Sequence, residues 1–418
     1  MEMEYLRDVE KKELGVWLVG AHGDIATTTV VGAGAIAREL APPTGLVSAL
    51  PQLEALELTP LDRIVFGGHD IREASPLESA RALARDGQLF AERFVDAAEP
   101  DLLAFAKRIK PGVAFGCGPT VASFESAAAR ERRALGLPRA FDIIKEDLRH
   151  FREEAERVVL VHLTSTEPET HDLPQLANEE GTRALIAAND PRVPASVLYA
   201  LAAADEKIPY VNFTPCLGAA APGLLATFER QKVCHAGRDG KTGETLVRSA
   251  LAPLFIARNL KVLSWTGYNI LGNRDGQVLE EPLANAAKTR SKEQVLSKIL
   301  GDQLGTANTR IDFVPSLGDW KTAWDHVHFE GFLGARGTLQ FTWRASDSAL
   351  AAPLVLDLAR LVDLAQRREK SGVLTGLSCF FKNPTGSDEH SLHRQFESLL
   401  ALAQELGARR GAPSRAVS

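Results

Sequence analysis

The chain of 418 residues is as informative for what it lacks as for what it contains. No apolar run approaches the roughly 18 residues that a bilayer span requires, so no membrane helix is expected. Its four cysteines, Cys117, Cys216, Cys234 and Cys379, show no C-x-x-C spacing. That argues against a zinc site or a disulfide framework and for buried thiols. Cations are not in excess: 48 basic residues against 54 acidic ones leave a net charge of −6. General affinity for nucleic acid is therefore not expected, because no surplus of cations exists to displace phosphate counterions. Any phosphate recognition must be local. The opening M-E-M-E-Y-L-R-D-V-E-K-K is charged and has no apolar secretory segment, which leads to the expectation of a cytoplasmic protein. What remains is an ordinary globular composition, 45% hydrophobic and 24% charged, and enough chain for two or three domains of about 100–200 residues each.

Residues 14–20 (L-G-V-W-L-V-G) form a short apolar run ending on glycine, the mark of a buried strand. The chain then passes through A-H-G-D-I-A into a small-residue helix. Strand, glycine turn and helix are the opening of a Rossmann unit, in which backbone N–H groups at the helix start approach a pyrophosphate. Gly20, Ala21, His22, Gly23, Asp24, Ile25 and Ala26 are thus the candidates for cofactor contact, although the turn is not a literal G-x-G-x-x-G. His22 fits a solvent-facing turn equally well. A second apolar strand over 63–68 runs into His69-Asp70, where a carboxylate accepts hydrogen bonds from a ribose and disfavours a 2′-phosphate. Asp70 points to NAD over NADP, with a plain turn aspartate as the competing reading.

Further strands are expected over 111–118, 158–163 and 209–213, with helical segments between them. The continuous run V-V-L-V-H-L is typical of a parallel strand covered on both faces. Ligands of open α/β sheets sit beyond the carboxyl ends of the strands, which singles out Thr164, Ser165, Thr166, Asn212 and Thr214. After Lys232 the alternation of strand and helix is expected to be interrupted, with a strand over 261–266 that ends in the turn G-Y-N-I-L-G-N-R-D-G. A β-rich block over 311–344 suggests a second domain with a mixed sheet. A long apolar helix over 349–368 then returns to the first domain, and the last ten residues are expected to be disordered. The fold class is therefore α/β: a Rossmann-type doubly wound parallel sheet plus a second α+β domain for catalysis and oligomerisation. The expected division is 1–236, 237–345 and 346–418.

Taken in order, the motifs resemble the myo-inositol-1-phosphate synthase family. They run T-S-T-E-P, D-G-K-T-G-E-T, Y-N-I-L-G-N-R-D-G, R-S-K-E, G-D-W-K, D-S-A-L-A-A-P-L and F-K-N-P, and the likeness covers about residues 14–385. The glycine turn is leaner than the family's commoner eukaryotic form, Leu246 and Arg248 stand where that form has lysines, and its long N-terminal extension is missing. The resemblance implies conversion of glucose 6-phosphate to 1L-myo-inositol 1-phosphate by oxidation, enolisation, intramolecular aldol closure and re-reduction on one NAD. Negative charge gathers on two oxygens in that sequence, which calls for fixed cations in a water-poor pocket. Lys241, Lys292 and Lys382 match family lysines for this task, since a buried ammonium can also exchange protons. Asp239 and Asp319 are expected to orient them, and Asn269, Asn273 and Asp275 to shape the substrate wall. The substrate phosphate is itself a candidate for taking the C6 proton. Taken singly, each lysine reads as a surface residue, and Asn273 and Asp275 as turn residues. His326 and His328 share one strand face, but without a third ligand in view no metal is expected. A homotetramer is implied. The competing functions are an NAD-dependent dehydrogenase or epimerase of another phosphosugar and a non-catalytic NAD-binding homologue.

Overall fold

The computed structural model describes residues 11–168 and 173–408, so the terminal segment expected to be disordered lies outside the described residues. Among the described residues, eleven strands form two sheets. The larger contains β1 (Lys12–Val19), β2 (Ile64–Asp70), β3 (Ile109–Pro111), β4 (Ala155–His162), β5 (Tyr210–Asn212), β6 (Cys234–Gly237) and, from late in the chain, β11 (Gly372–Val373). Their order is β11-β6-β5-β4-β1-β2-β3, and every pairing is parallel. The order reverses between β1 and β4, and at such a switch point the loops leaving neighbouring strands diverge and open a crevice.

Alternation along β1 shows why this sheet is apolar throughout. Val16 and Leu18 enter one core, Trp17 and Val19 the other. The first core receives the helices Asp24–Ala37 and Asp347–Arg367; the second receives Gly136–Phe151 and Ala195–Asp205. Residues 195–204 are buried on every side, which explains a sequence without a polar stripe.

The smaller sheet holds β7 (Lys261–Leu271), β8 (Leu304–Phe313), β9 (Trp320–Glu330) and β10 (Arg336–Ser346) in the order β10-β9-β7-β8. It is mixed: β7 pairs parallel with β8 and antiparallel with β9. Helices Gly243–Ala257 and Pro282–Leu300 cover one face, where Phe255 and Leu296 join Trp265 of β7 in one core. Tyr268 and Trp324, direct partners across β7 and β9, stay exposed. Among the described residues no helix is long and apolar enough to cross a membrane.

Three expectations need correction. The third strand lies at Ile109–Pro111 and not over 111–118; Pro111 withholds a ladder donor, and residues 112–118 run irregularly along the cleft. The parallel sheet continues after Lys232, because C-H-A-G forms β6 despite its small and polar residues. Finally, β7 reaches Leu271, since β8 and β9 pair with it to that point, so Asn269 lies on a strand and not in the turn beyond.

Candidate active site

The glycine turn is shaped by sterics. Gly20 has φ +98, and a Cβ there would stand 3.1 Å from the Leu163 carbonyl, so only glycine lets the β1 and β4 exits approach this closely. Gly23 then caps the helix Asp24–Ala37. A cleft of about 1130 Å³ opens beside the turn, lined by Gly20, Gly23, Asp24, Ile25, Asp70, Thr164, Ser165 and Thr166. Ala21 and Ala26 belong to the core instead, and buried His22 does not line the cleft. Asp70 braces the turn: its carboxylate accepts the His22 N–H at 2.7 Å and the Arg72 N–H at 2.8 Å. Thr166, a residue only 3% exposed, borders this cleft, and its buried hydroxyl has no partner. An open glycine cradle, a helix N-terminus and an orphaned hydroxyl fit a dinucleotide.

A smaller adjoining cleft of about 630 Å³ shares Ile25, the Thr164–Thr166 segment, Asn273 and Asp275 with the first. Here the short loop after β6 meets a segment far along the chain. Lys382 N–H donates to the Asp239 carbonyl at 2.7 Å, Arg238 N–H to that of Asn383 at 3.0 Å, and Lys241 N–H to that of Phe380 at 2.7 Å. This antiparallel clasp brings Lys382 Nζ to 2.8 Å from Asp239 Oδ1. Asp239 itself holds φ +63, a conformation aspartate tolerates better than bulkier residues. Lys288, on the helix Pro282–Leu300, stands 3.7 Å from both Asp239 and Asp275. Burial lowers the pKa of Lys382 despite Asp239; for Lys288, burial is outweighed by Asp239, Asp275 and Asp347, and the pKa rises. One ammonium is thus made readier to release a proton and the other is locked as a cation.

Asp319 lines the larger cleft, held by donors from Ser346 and from the backbone and side chain of Ser348; burial pushes its carboxyl up to about 6. Thr214 lines the smaller cleft. Asn212 does not, because it spends its amide on the Cys216 carbonyl and its oxygen on Thr214. Asn273 caps the short helix that follows it and faces both clefts.

Two expected lysines stand elsewhere. Lys241 turns toward the C-terminal helix and donates to Gln395, and burial lowers its pKa to about 8. Lys292 lies one helical turn beyond Lys288, behind the cleft wall. It donates to Asn269 and pairs with Glu244 at 2.8 Å, and burial lowers its pKa to about 7. Glu244 also pairs with Arg248, which reaches Asp325 at 2.9 Å, so a closed ion network includes one of the two positions where family lysines are replaced. The residues that sequence reasoning missed are Lys288, Lys321, Asp347, Arg72 and Arg274. Lys288 was detectable as the i−4 neighbour of Lys292; Lys321 and Asp347 close the motifs G-D-W-K and begin D-S-A-L-A-A-P-L. Lys321 is near enough to bias Lys292, Lys382 and Asp347 electrostatically.

A doubly wound sheet whose switch point faces a bank of lysines and aspartates carried on connecting loops and helices defines a dinucleotide-dependent α/β enzyme. The model of the family described as myo-inositol-1-phosphate synthase, an NAD-binding family, matches residues 14–404. Inositol-3-phosphate synthase 1 of Bacteroides thetaiotaomicron is 32% identical over 406 residues, 90% of each chain. The inositol-3-phosphate synthase of Citrus paradisi is 28% identical, over 88% of this chain and 77% of that one. Among solved structures, inositol-3-phosphate synthase of Caenorhabditis elegans superposes with a TM-score of 0.81 at 24% identity, covering 97% of this chain and 87% of the other. The chain belongs to the myo-inositol-1-phosphate synthase family, and is an isomerase-type synthase that uses NAD.

Proposed function

We propose that the substrate is D-glucose 6-phosphate and that the two clefts together hold it against the cofactor. The observation that carries this reading is the smaller cleft, where Lys382, Lys288 and Asp239 converge beside the Thr164–Thr166 segment. When bound in the larger cleft, NAD supplies a reversible hydride acceptor. Gly20, Gly23, Ile25 and Thr166 would hold it there.

The chain's own work is electrostatic. Charge that gathers on the sugar's C5 and C1 oxygens needs preorganised cations away from bulk water. Lys382, with its lowered pKa, polarises one of these oxygens and passes a proton to it, while Asp239 fixes the ammonium at 2.8 Å. Lys288 keeps its charge and, with Lys321, takes the substrate phosphate. Asn273 and Asp275 line the wall between the two clefts. Lys292 and Lys241 support the site from behind. The domain division 1–236, 237–345 and 346–418 belongs to this reading, as do a cytoplasmic location and a homotetramer formed through the exposed face of the small sheet, where Tyr268 and Trp324 lie.

Incubation with glucose 6-phosphate and catalytic NAD⁺ tests it. Accumulation of periodate-releasable phosphate without net NADH is expected. Net NADH would favour a dehydrogenase of another phosphosugar. Binding of NAD with no turnover would favour a non-catalytic homologue.

A further inference from the structure

The helix Asp24–Ala37 opens at the glycine turn, where its N–H groups suit a pyrophosphate, yet its first residue is a carboxylate that lines the same cleft. Asp24 is half-buried, and burial raises its pKa against the opposing pull of Arg274 and Arg72. A pyrophosphate arriving here meets Asp24 and Asp70, so the helix terminus alone is a poor anion site. Two arginines line the same cleft. Arg72 is fixed by a 2.6 Å hydrogen bond from Nη2 to the His22 carbonyl and lies 3.6 Å from Asp70. Arg274 belongs to the other sheet's connections: it follows β7, its backbone is set by the Asn273 cap, whose Oδ1 accepts the Gly276 N–H at 3.1 Å, and its side chain is exposed.

We propose that Arg274, reaching across from the small-sheet side, binds the cofactor's pyrophosphate jointly with Arg72 and offsets the carboxylate of Asp24. This rests on the cofactor reading above and adds to it: dinucleotide binding then ties the loop that carries Asn273 and Asp275 to the parallel sheet. Arginine suits the role because its planar fork can take two phosphate oxygens at once. Thr166, whose buried hydroxyl lacks a partner, borders the same cleft.

Calorimetric titration of NAD⁺, ADP-ribose and adenosine separates the possibilities without any turnover. Arg274→Ala is expected to weaken NAD⁺ and ADP-ribose about tenfold or more, to leave adenosine unchanged and to flatten the salt dependence of ADP-ribose binding. Arg274→Lys should restore part of the loss, and Asp24→Asn should tighten ADP-ribose. Unchanged ADP-ribose affinity and salt dependence in Arg274→Ala would overturn the proposal, as would equal weakening of adenosine. A parent protein that binds none of the three overturns the cofactor reading along with it.

Discussion

Lys288 and Lys292 lie one turn apart on the same helix and meet opposite fates. Lys288 faces the smaller cleft, shared loosely between Asp239 and Asp275 at 3.7 Å each. Lys292 is sealed between Glu244 and Asn269 with no cleft surface. Acidic neighbours hold the first as a cation, whereas burial brings the second to about 7. The contrast teaches that a lysine in a family motif acquires its role from the carboxylates that surround it. The open cluster has unequal, replaceable contacts that a phosphosugar can take over. The closed one is buried behind the cleft wall, out of a ligand's reach, and Gly267 shows how tight it is: a Cβ there would fall 1.9 Å from the Arg248 guanidinium.

The sharpest way to break the comparison is Lys382→Ala. It should lower product formation on the order of a thousandfold while NAD affinity and the melting temperature hold, since it removes a cation aimed at developing charge; a parallel loss of NAD binding would make it a structural lysine. Next, Lys292→Ala leaves Arg248 alone against Glu244 and Asp325 in the closed network and should cost about 3 kcal/mol in urea unfolding. If its stability were unchanged, the sealed description of that region would fail. Lys288→Ala, on the open side, should reduce turnover roughly a hundredfold with a higher KM, read by steady-state kinetics.

A pH series sharpens the contrast further. Asp319 has its folded-state pKa raised by burial from 3.8 to about 6, so the folded state keeps this proton longer than the unfolded chain does. Its contribution is present at low pH and is lost as pH rises through about 6. Asp319→Asn cannot ionise, and its stability relative to the parent should rise by about 2–3 kcal/mol between about pH 4 and pH 7. The smallest effect is expected for Lys241→Met, which leaves both clefts intact: turnover within roughly threefold of the parent, with a modest drop in melting temperature from the lost Gln395 contact.

Much of the parallel sheet was legible in the sequence. Its strands are buried on both faces, so V-V-L-V-H-L announces itself without alternation, and the glycine turn follows from a close approach that only glycine allows. Short pieces were not legible: β6 has four residues and β11 two, and each exists because a neighbour offers a ladder. In the site, motif order found Lys382 and Asp239 but not their contact, which depends on a backbone clasp between segments about 140 residues apart. Helical spacing held the clue to Lys288, whereas the inward turn of Lys241 toward Gln395 depends on the docking of the last helix, and no local pattern encodes that. The replacement of a family lysine by Arg248 reads in sequence as a lost site residue. In the fold it is the centre of a salt-bridged core.

The account turns on which lysines meet the sugar, and a crystal structure with NAD and a reduced, non-cyclising hexitol 6-phosphate measures that directly. Phosphate and sugar oxygens within hydrogen-bond reach of Lys288 and Lys382 Nζ, with Lys292 still paired to Glu244, is the predicted result. A sugar seated on Lys292, with Lys288 and Lys382 turned away from it, would contradict the account.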